Sequence, residues 1–419
     1  MSKSIVEVEN LKKYFPITGG VLGRTFSYVK AVDDVSFQIK RGETLGLVGE
    51  SGCGKTTLGR CLLLLLKITG GEVFFNTTLE ESDSKKENFE ERYNIIKMKN
   101  IKKLRRKMQI VHQDPFDSLD PRMLIRDIVA EPLVTHKAVK GGALRQRVIE
   151  LLKQVGLTEE HLYRYPHELS GGQLQRVCIA RAIALNPEFI VLDEPTSSLD
   201  VSVQAQILNL LKVLQNELGL SYLFISHDIS VIDHMAERIA VMYLGKIVEM
   251  ARKDELMQEP LHPYTIALLS SIPTTDPKNK MLDKVIFLEG DVPSPIEPPL
   301  GCRFHTRCPK AFKKCGWEAR DLINYLQVKL ENIDMNNLTF KPMGFMLEIV
   351  IENGNISEIQ NVILEFIEKE KKDGNALFES INEVKKKENR INIRFIESQE
   401  PPLLEVKKEH QVACLLYKD

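Results

Sequence analysis

The chain has 419 residues, with 57 Lys and Arg against 58 Asp and Glu, a net charge of -1, and 43% hydrophobic and 27% charged residues. That length supports two or three domains with full cores, and the balanced charge excludes a general pull toward nucleic acid or anionic lipid, so any charged partner must be bound locally. The longest apolar run, Cys61–Leu66, falls far short of the ~18 residues of a membrane span. The start MSKSIVEVENLKKYF has no apolar signal core, so a cytoplasmic chain is expected, whose seven cysteines serve as thiols or metal ligands rather than disulfides.

In chain order, Val6 and Val8 and then Ala31–Lys40 alternate as strands do, Arg41-Gly42-Glu43 is a turn, and Thr44–Val48 is a short buried strand. A loop follows, then a helix expected to carry Leu58–Leu66. From Asn76 to Lys107 the chain is hydrophilic, acidic first (EESDSKKENFEER) and basic later (KKLRRK), as in a solvated insertion followed by a helix. Leu144–Val155 and Gly172–Leu185 have helical spacing, and Phe189–Leu192 is a strand ending in carboxylates. Strands alternating with helices predict an α/β core with a largely parallel sheet and ligands at the carboxyl ends of its strands. After about residue 255, prolines from Pro260 to Pro299 mark a domain boundary. Beyond it, Phe340–Ile351, Ile356–Lys371 and Ile391–Ile396 read as strand, amphipathic helix and strand.

Gly49-Glu50-Ser51-Gly52-Cys53-Gly54-Lys55-Thr56 matches G-x-x-x-x-G-K-[ST] between a strand and a helix, with Thr57 continuing into that helix. The glycines let backbone N–H groups close on phosphate oxygens at a helix N-terminus; Lys55 reaches the terminal phosphates and the Thr56 hydroxyl ligates Mg²⁺. Cys53 is a small filler there. The strand ending in Asp193 and Glu194 supplies the other half of an ATP site, with Asp193 in the outer coordination sphere of the metal and Glu194 placed to polarise the attacking water.

Between these lies Leu169-Ser170-Gly171-Gly172-Gln173, and here the sequence resembles the ATP-binding cassette ATPases of membrane transporters. Gln113 in VHQDP, Ser198-Leu199-Asp200 and His227 in FISHD agree with that family in order and spacing, over residues 5 to 255. The resemblance implies a cassette with a mixed, largely parallel core sheet over 1–255 and a helical subdomain at about 115–185. It also implies a head-to-tail pair of cassettes in which Ser170, Gly171, Gly172 and Gln173 of one chain meet ATP held by the other. Gln113 would sense the metal and the water, and His227 the terminal phosphate. Adenine is expected to stack on Tyr28, with Tyr14 as a rival because GGVLGRTF reads as an inserted loop.

Cys302, Cys308 and Cys315 are spaced by six and seven positions in GCRFHTRCPKAFKKC, and Cys414 follows in HQVACLLY. Four thiolates suit an iron-sulfur cluster or zinc, and spacing alone does not choose. PLHPYTIALLSSIP, EGDVPSP, GCRFHTRCP and HQVACLLY resemble the C-terminal extension of dipeptide and oligopeptide importer ATPases, which implies a [4Fe-4S] cluster, with zinc as the alternative. It further implies a paralogous cassette partner, two transmembrane permease subunits, an extracytoplasmic solute-binding protein, no nucleic acid, and a peripheral place on the cytoplasmic face of the cell membrane. Relatives of this kind also carry nickel or glutathione, and a soluble cassette ATPase outside transport is the remaining alternative. The family pattern breaks after Cys315 and resumes at Glu400-Pro401-Pro402, so the extension is expected at 256–319 plus 399–419, with a small α/β insertion at 320–398 that loops out.

Overall fold

A computed structural model describes residues 4–19, 24–77, 91–98, 101–139, 141–271, 285–330 and 335–418. The chain divides into two compact units, 1–258 and 259–419. Among the described residues no helix is long and apolar enough to cross a membrane.

In the first unit, β1 (Ser4–Gly19) and β2 (Arg24–Lys40) form a long antiparallel hairpin. After the turn at Arg41-Gly42, β3 (Thr44–Val48) is buried at every position, as a strand covered on both sides must be. It leads through the phosphate-loop motif into α1 (Lys55–Leu62). The expected helix through Leu66 stops early. Leu64 turns left-handed at φ 49°, its N–H bonds to the Cys61 carbonyl and that of Leu65 bonds to the Arg60 carbonyl, which is the closing geometry usually given to glycine. Next come β4 (Gly70–Thr77) and β5 (Glu91–Asn94), so the basic part of the hydrophilic stretch is preceded by an edge strand, giving a sheet ordered β2-β1-β4-β5. The acidic residues 81–90 lie outside the described residues.

The one-turn α2 (Lys102–Arg105) precedes β6 (Met108–Val111). Then α3 (Pro115–Ser118), α4 (Ile125–Thr135), α5 (Ala143–Gln154) and α6 (Gly171–Ile183) make a helical layer. The chain returns through β7 (Phe189–Asp193), α7 (Val201–Leu218), β8 (Ser221–Ser226), α8 (Ile229–Met235), β9 (Arg238–Tyr243), β10 (Lys246–Arg252) and α9 (Lys253–Gln258). Strands run β10-β9-β3-β8-β7-β6, parallel except for the β9–β10 hairpin, so β3 and β7 release their loops at the same edge. Just before β7, Glu188 accepts from Arg41 at 2.9 Å and Thr77 at 2.8 Å and pairs with Lys107 at 2.9 Å. Burial opposes its charge, but those partners outweigh burial and hold its pKa below the usual carboxylate value.

In the second unit α10 (Pro263–Ser270) precedes an irregular segment and α11 (Ala319–Lys329). The expected single strand Phe340–Ile351 is instead a hairpin, β11 (Leu338–Met343) and β12 (Met346–Ile351), because Gly344-Phe345 makes a two-residue turn. Then come α12 (Ile356–Lys372), α13 (Ala376–Glu379), β13 (Ile381–Lys387) and β14 (Arg390–Phe395), giving an antiparallel sheet ordered β11-β12-β14-β13. A closing hairpin, β15 (Leu404–Lys407) and β16 (His410–Val412), brings the chain to Cys414. The insertion has its own core: Leu322 and Leu326 of α11, Ile363 and Ile367 of α12, Phe378, and the inward residues of the sheet. Phe378 is fully buried, with its ring 5.1 Å from Tyr325 and 5.9 Å from Phe366. Phe378→Ala should therefore cost about 3–5 kcal/mol, and hydrogen exchange should show the loss concentrated in 319–395 while the first unit keeps its protection.

Candidate nucleotide site and cysteine cluster

The phosphate loop is shaped by contact with its own walls. A Cβ on Gly54, at φ 109°, would lie 2.1 Å from the Ala31 carbonyl, so only glycine lets the chain enter α1 there. Ala31, Ser51, Gly52, Gly54, Lys55, Thr56 and Thr57 line one side of a cavity of about 440 Å³, and Gln113, Glu194 and His227 line the other. Lys55 Nζ donates to the Gly49 carbonyl at 2.7 Å and the Glu50 carbonyl at 3.0 Å, a parked position that an anion in the cavity would compete for. Burial pushes the Cys53 thiol up, against the attraction of Lys55, so Cys53 stays a neutral filler.

From β7, Asp193 accepts from Thr56 Oγ1 at 2.8 Å; burial raises its pKa against that bond. Arg60 and Lys55 attract the carboxylate without outweighing burial, and the hydroxyl–carboxylate pair suits Mg²⁺ chemically. The chain then turns left-handed at Glu194, φ 46°, uncommon for a residue with a Cβ. That turn sends the Glu194 carboxylate into the cavity, where Oε2 accepts from Gln113 Nε2 at 3.1 Å and meets His227 Nδ1 at 3.0 Å. Three residues from three loops thus meet at one carboxylate oxygen.

Ser170 caps α6: its hydroxyl accepts from the Gln173 N–H at 3.4 Å and its own N–H bonds to Gln173 Oε1 at 3.0 Å. Gln173 also meets His161, which sequence pattern did not single out, at 3.4 Å. Residues 170–173 do not line the cavity. Asp200 caps α7, accepting from Ser202 Oγ at 2.7 Å and the Val203 N–H at 3.0 Å; these bonds, that from Ser202 foremost, lower its pKa. Tyr28 lies on the hairpin 48% exposed, while Tyr14 hydrogen-bonds Asp33; neither lines the cavity. Ala31, which does, carries no signal in the sequence.

The four cysteines approach one another. The Cys302 N–H bonds to the Cys315 carbonyl at 2.8 Å across a crossing where a Cβ on Gly316 would fall 2.1 Å from the Leu300 carbonyl. Burial pushes the Cys302 thiol up to about 12 and Cys308 up to about 11; backbone N–H groups at Phe304 and Lys310 oppose this, and the neighbouring thiols add to it. Cys315 is raised by burial and by Cys414, against an N–H bond from Phe312 at 3.4 Å. Among the described residues, however, no group of three or more His, Cys, Asp or Glu is arranged to hold a metal ion. The insertion is stitched to this loop at both ends. Its expected start at Arg320 falls inside α11, whose Asp321 holds buried His305 at 3.1 Å, and His305 Nδ1 meets the Cys302 carbonyl at 2.7 Å. At the other end Ser398 hydrogen-bonds the Lys314 carbonyl.

Residues 32–197 match the ABC transporter family and residues 248–315 match the oligopeptide/dipeptide transporter C-terminal region, ending at Cys315. The chain is 50% identical to the oligopeptide transport ATP-binding protein AppF of Bacillus subtilis (strain 168), over 75% of this chain and 92% of that protein. It is 45% identical to the oligopeptide transport ATP-binding protein OppF of Salmonella typhimurium, over 75% of this chain and 91% of that protein. Against the dipeptide transport ATP-binding protein DppF of Escherichia coli (strain K12) identity is 44%, over 75% and 90%. With a phosphate loop facing a carboxylate held by glutamine and histidine, and relatives matched over nine-tenths of their length, the chain belongs to the oligopeptide and dipeptide transport ATP-binding proteins of the ABC transporter family.

Proposed function

We propose that this chain hydrolyses ATP on the cytoplasmic face of a membrane to drive uptake of oligopeptides or dipeptides through a permease. The observation that carries the chemistry is Glu194 Oε2 between Gln113 and His227, across the cavity from Lys55. Phosphoryl transfer asks the protein chiefly for positioning and charge, and the parts here divide that work. The amides of Gly49, Ser51, Gly52, Cys53 and Gly54 and the Lys55 ammonium bind phosphate oxygens, with Thr57 at the edge. Glu194 orients and polarises the attacking water, His227 contacts the terminal phosphate, and Gln113 links the water to the transport partner. Thr56 and Gln113 would hold Mg²⁺ with Asp193 behind them, and the ion would neutralise phosphate charge. Tyr28, exposed on the β1–β2 hairpin, would stack on adenine.

The exposed N-terminus of α6 serves a second chain. Ser170, Gly171, Gly172 and Gln173 close over ATP held by a paralogous cassette, and Asp200 shapes the loop beside them, so ATP joins the pair and hydrolysis releases it. Two permease subunits and an extracytoplasmic solute-binding protein complete the complex, without nucleic acid. In Glu194→Gln, ATP should bind as before while turnover falls by a factor on the order of 10² or more. Near-normal turnover by the otherwise intact complex would contradict the assignment.

Cys302, Cys308, Cys315 and Cys414 would hold a [4Fe-4S] cluster, which would fasten the extension. Supporting this are four thiols within electrostatic reach of one another, Cys315 and Cys414 buried and Cys302 and Cys308 half-buried, with backbone N–H groups directed at sulfur. A Cys₄ set suits an iron-sulfur cluster and zinc alike, and the resemblance of this extension to that of the importer ATPases favours the cluster. Chain purified without oxygen should contain iron and acid-labile sulfide, and Cys308→Ser should make both labile. Stoichiometric zinc without sulfide would replace the cluster by a zinc site, and no metal would remove both. Because burial raises the Cys302, Cys308 and Cys315 thiols above their ordinary value, loading of metal-free chain should also release protons.

A further inference from the structure

The insertion carries 11 basic and 14 acidic residues between 320 and 398, but it sorts them by face. Strand alternation turns Ile391, Ile393 and Phe395 of β14 into the core and leaves Arg390, Asn392 and Arg394 on the opposite side. The register sets Lys341 across from Glu348, Lys385 across from Asn392 and Lys387 across from Arg390 on that same side. Contacts agree with the register: Arg390 and Lys341 both reach Glu348 Oε1, at 3.2 and 3.4 Å, and Arg394 lies 3.8 Å from Met346 Sδ. Five cations, Lys341, Lys385, Lys387, Arg390 and Arg394, therefore share the face with two carboxylates, Glu348, which pairs with Lys341 and Arg390, and Glu383, which pairs with Lys385, leaving a surplus of three positive charges. Lys387 makes no ion pair among the described residues.

Lysines on β13 are accounted for by protection of an edge strand against pairing with other chains. Arg390 and Arg394 are not, since β14 is an interior strand. The face is an open sheet without an aromatic ring, so it offers no platform for stacking nucleic-acid bases. At its end Met343 and Met346, 55% and 40% exposed, flank the β11–β12 turn and present apolar tips beside the cations.

We propose that this sheet face docks on an anionic phospholipid surface. Each cation near such a surface raises affinity roughly five-fold, and a chain already held at a membrane gains that attraction as an intramolecular contact. The second half of this argument rests on the transport role proposed above; the charge sorting does not.

The test uses the full chain alone, sedimented with vesicles of phosphatidylcholine or of phosphatidylcholine mixed with phosphatidylglycerol, at low and high salt. Binding should require phosphatidylglycerol and weaken with salt, and the double variant Lys385→Gln/Lys387→Gln should bind roughly 25-fold less. Both lysines are exposed, so melting temperature and ATP binding should not change. Equal binding to neutral vesicles, unchanged binding by the double variant, or preferential binding of a homopolymeric RNA would each overturn the proposal. None of these measurements depends on turnover, so a failed transport role with intact vesicle binding is recognised separately.

Discussion

A loop that binds phosphate must keep several backbone N–H groups open toward one point, and no side chain can be allowed to cover them. Much of the first unit follows from that requirement. Gly54 removes the Cβ that would strike Ala31, and β3, buried on both faces, fixes where the loop begins. The parallel neighbours β8 and β7 end at the same edge, so Asp193 and Glu194 arrive opposite Lys55 and Thr56. The Glu194 carboxylate turns inward through a left-handed backbone conformation, a local cost held in place by the bond from its N–H to the Ile225 carbonyl at 3.0 Å.

The same logic explains why half of the proposed site is elsewhere. Ser170 and Gln173 satisfy each other at the start of α6, and neither lines the cavity of their own chain. In the proposed pair, another chain brings its phosphate to this helix end. In the extension, backbone proximity again decides the geometry: Gly316 lets the two cysteine-bearing segments touch, and His305 with Asp321 ties the insertion to them.

The motifs were readable because phosphate chemistry restricts both residue type and spacing. Lys55, Thr56, Glu194, Gln113 and His227 are all named from the sequence, and the fold brings them to one cavity, with Asp193 bonded to Thr56 at its border. What the sequence hid depends on contacts rather than composition. The left-handed Glu194 and the wall at Ala31 carry no residue signal. Leu64 occupies a helix-ending position normally marked by glycine, so α1 looked four residues longer than it is. Phe340–Ile351 looked continuous because Gly344-Phe345 interrupts the hydrophobic pattern only briefly. The insertion was recognisable as an interruption, but its coupling to the cysteine loop through Asp321 and Ser398 was not, since those partners lie far apart in sequence.

The central claim is that one chain supplies the phosphate loop and another the α6 helix end that closes on it. Hydrogen–deuterium exchange of Glu194→Gln chain, diluted to a monomer and again paired with its partner cassette, tests it directly. With ATP, amides of residues 49–56 should be protected in both states, and those of residues 170–173 only in the pair. Protection of 170–173 by ATP in the monomer, or its absence in the pair, would contradict the account.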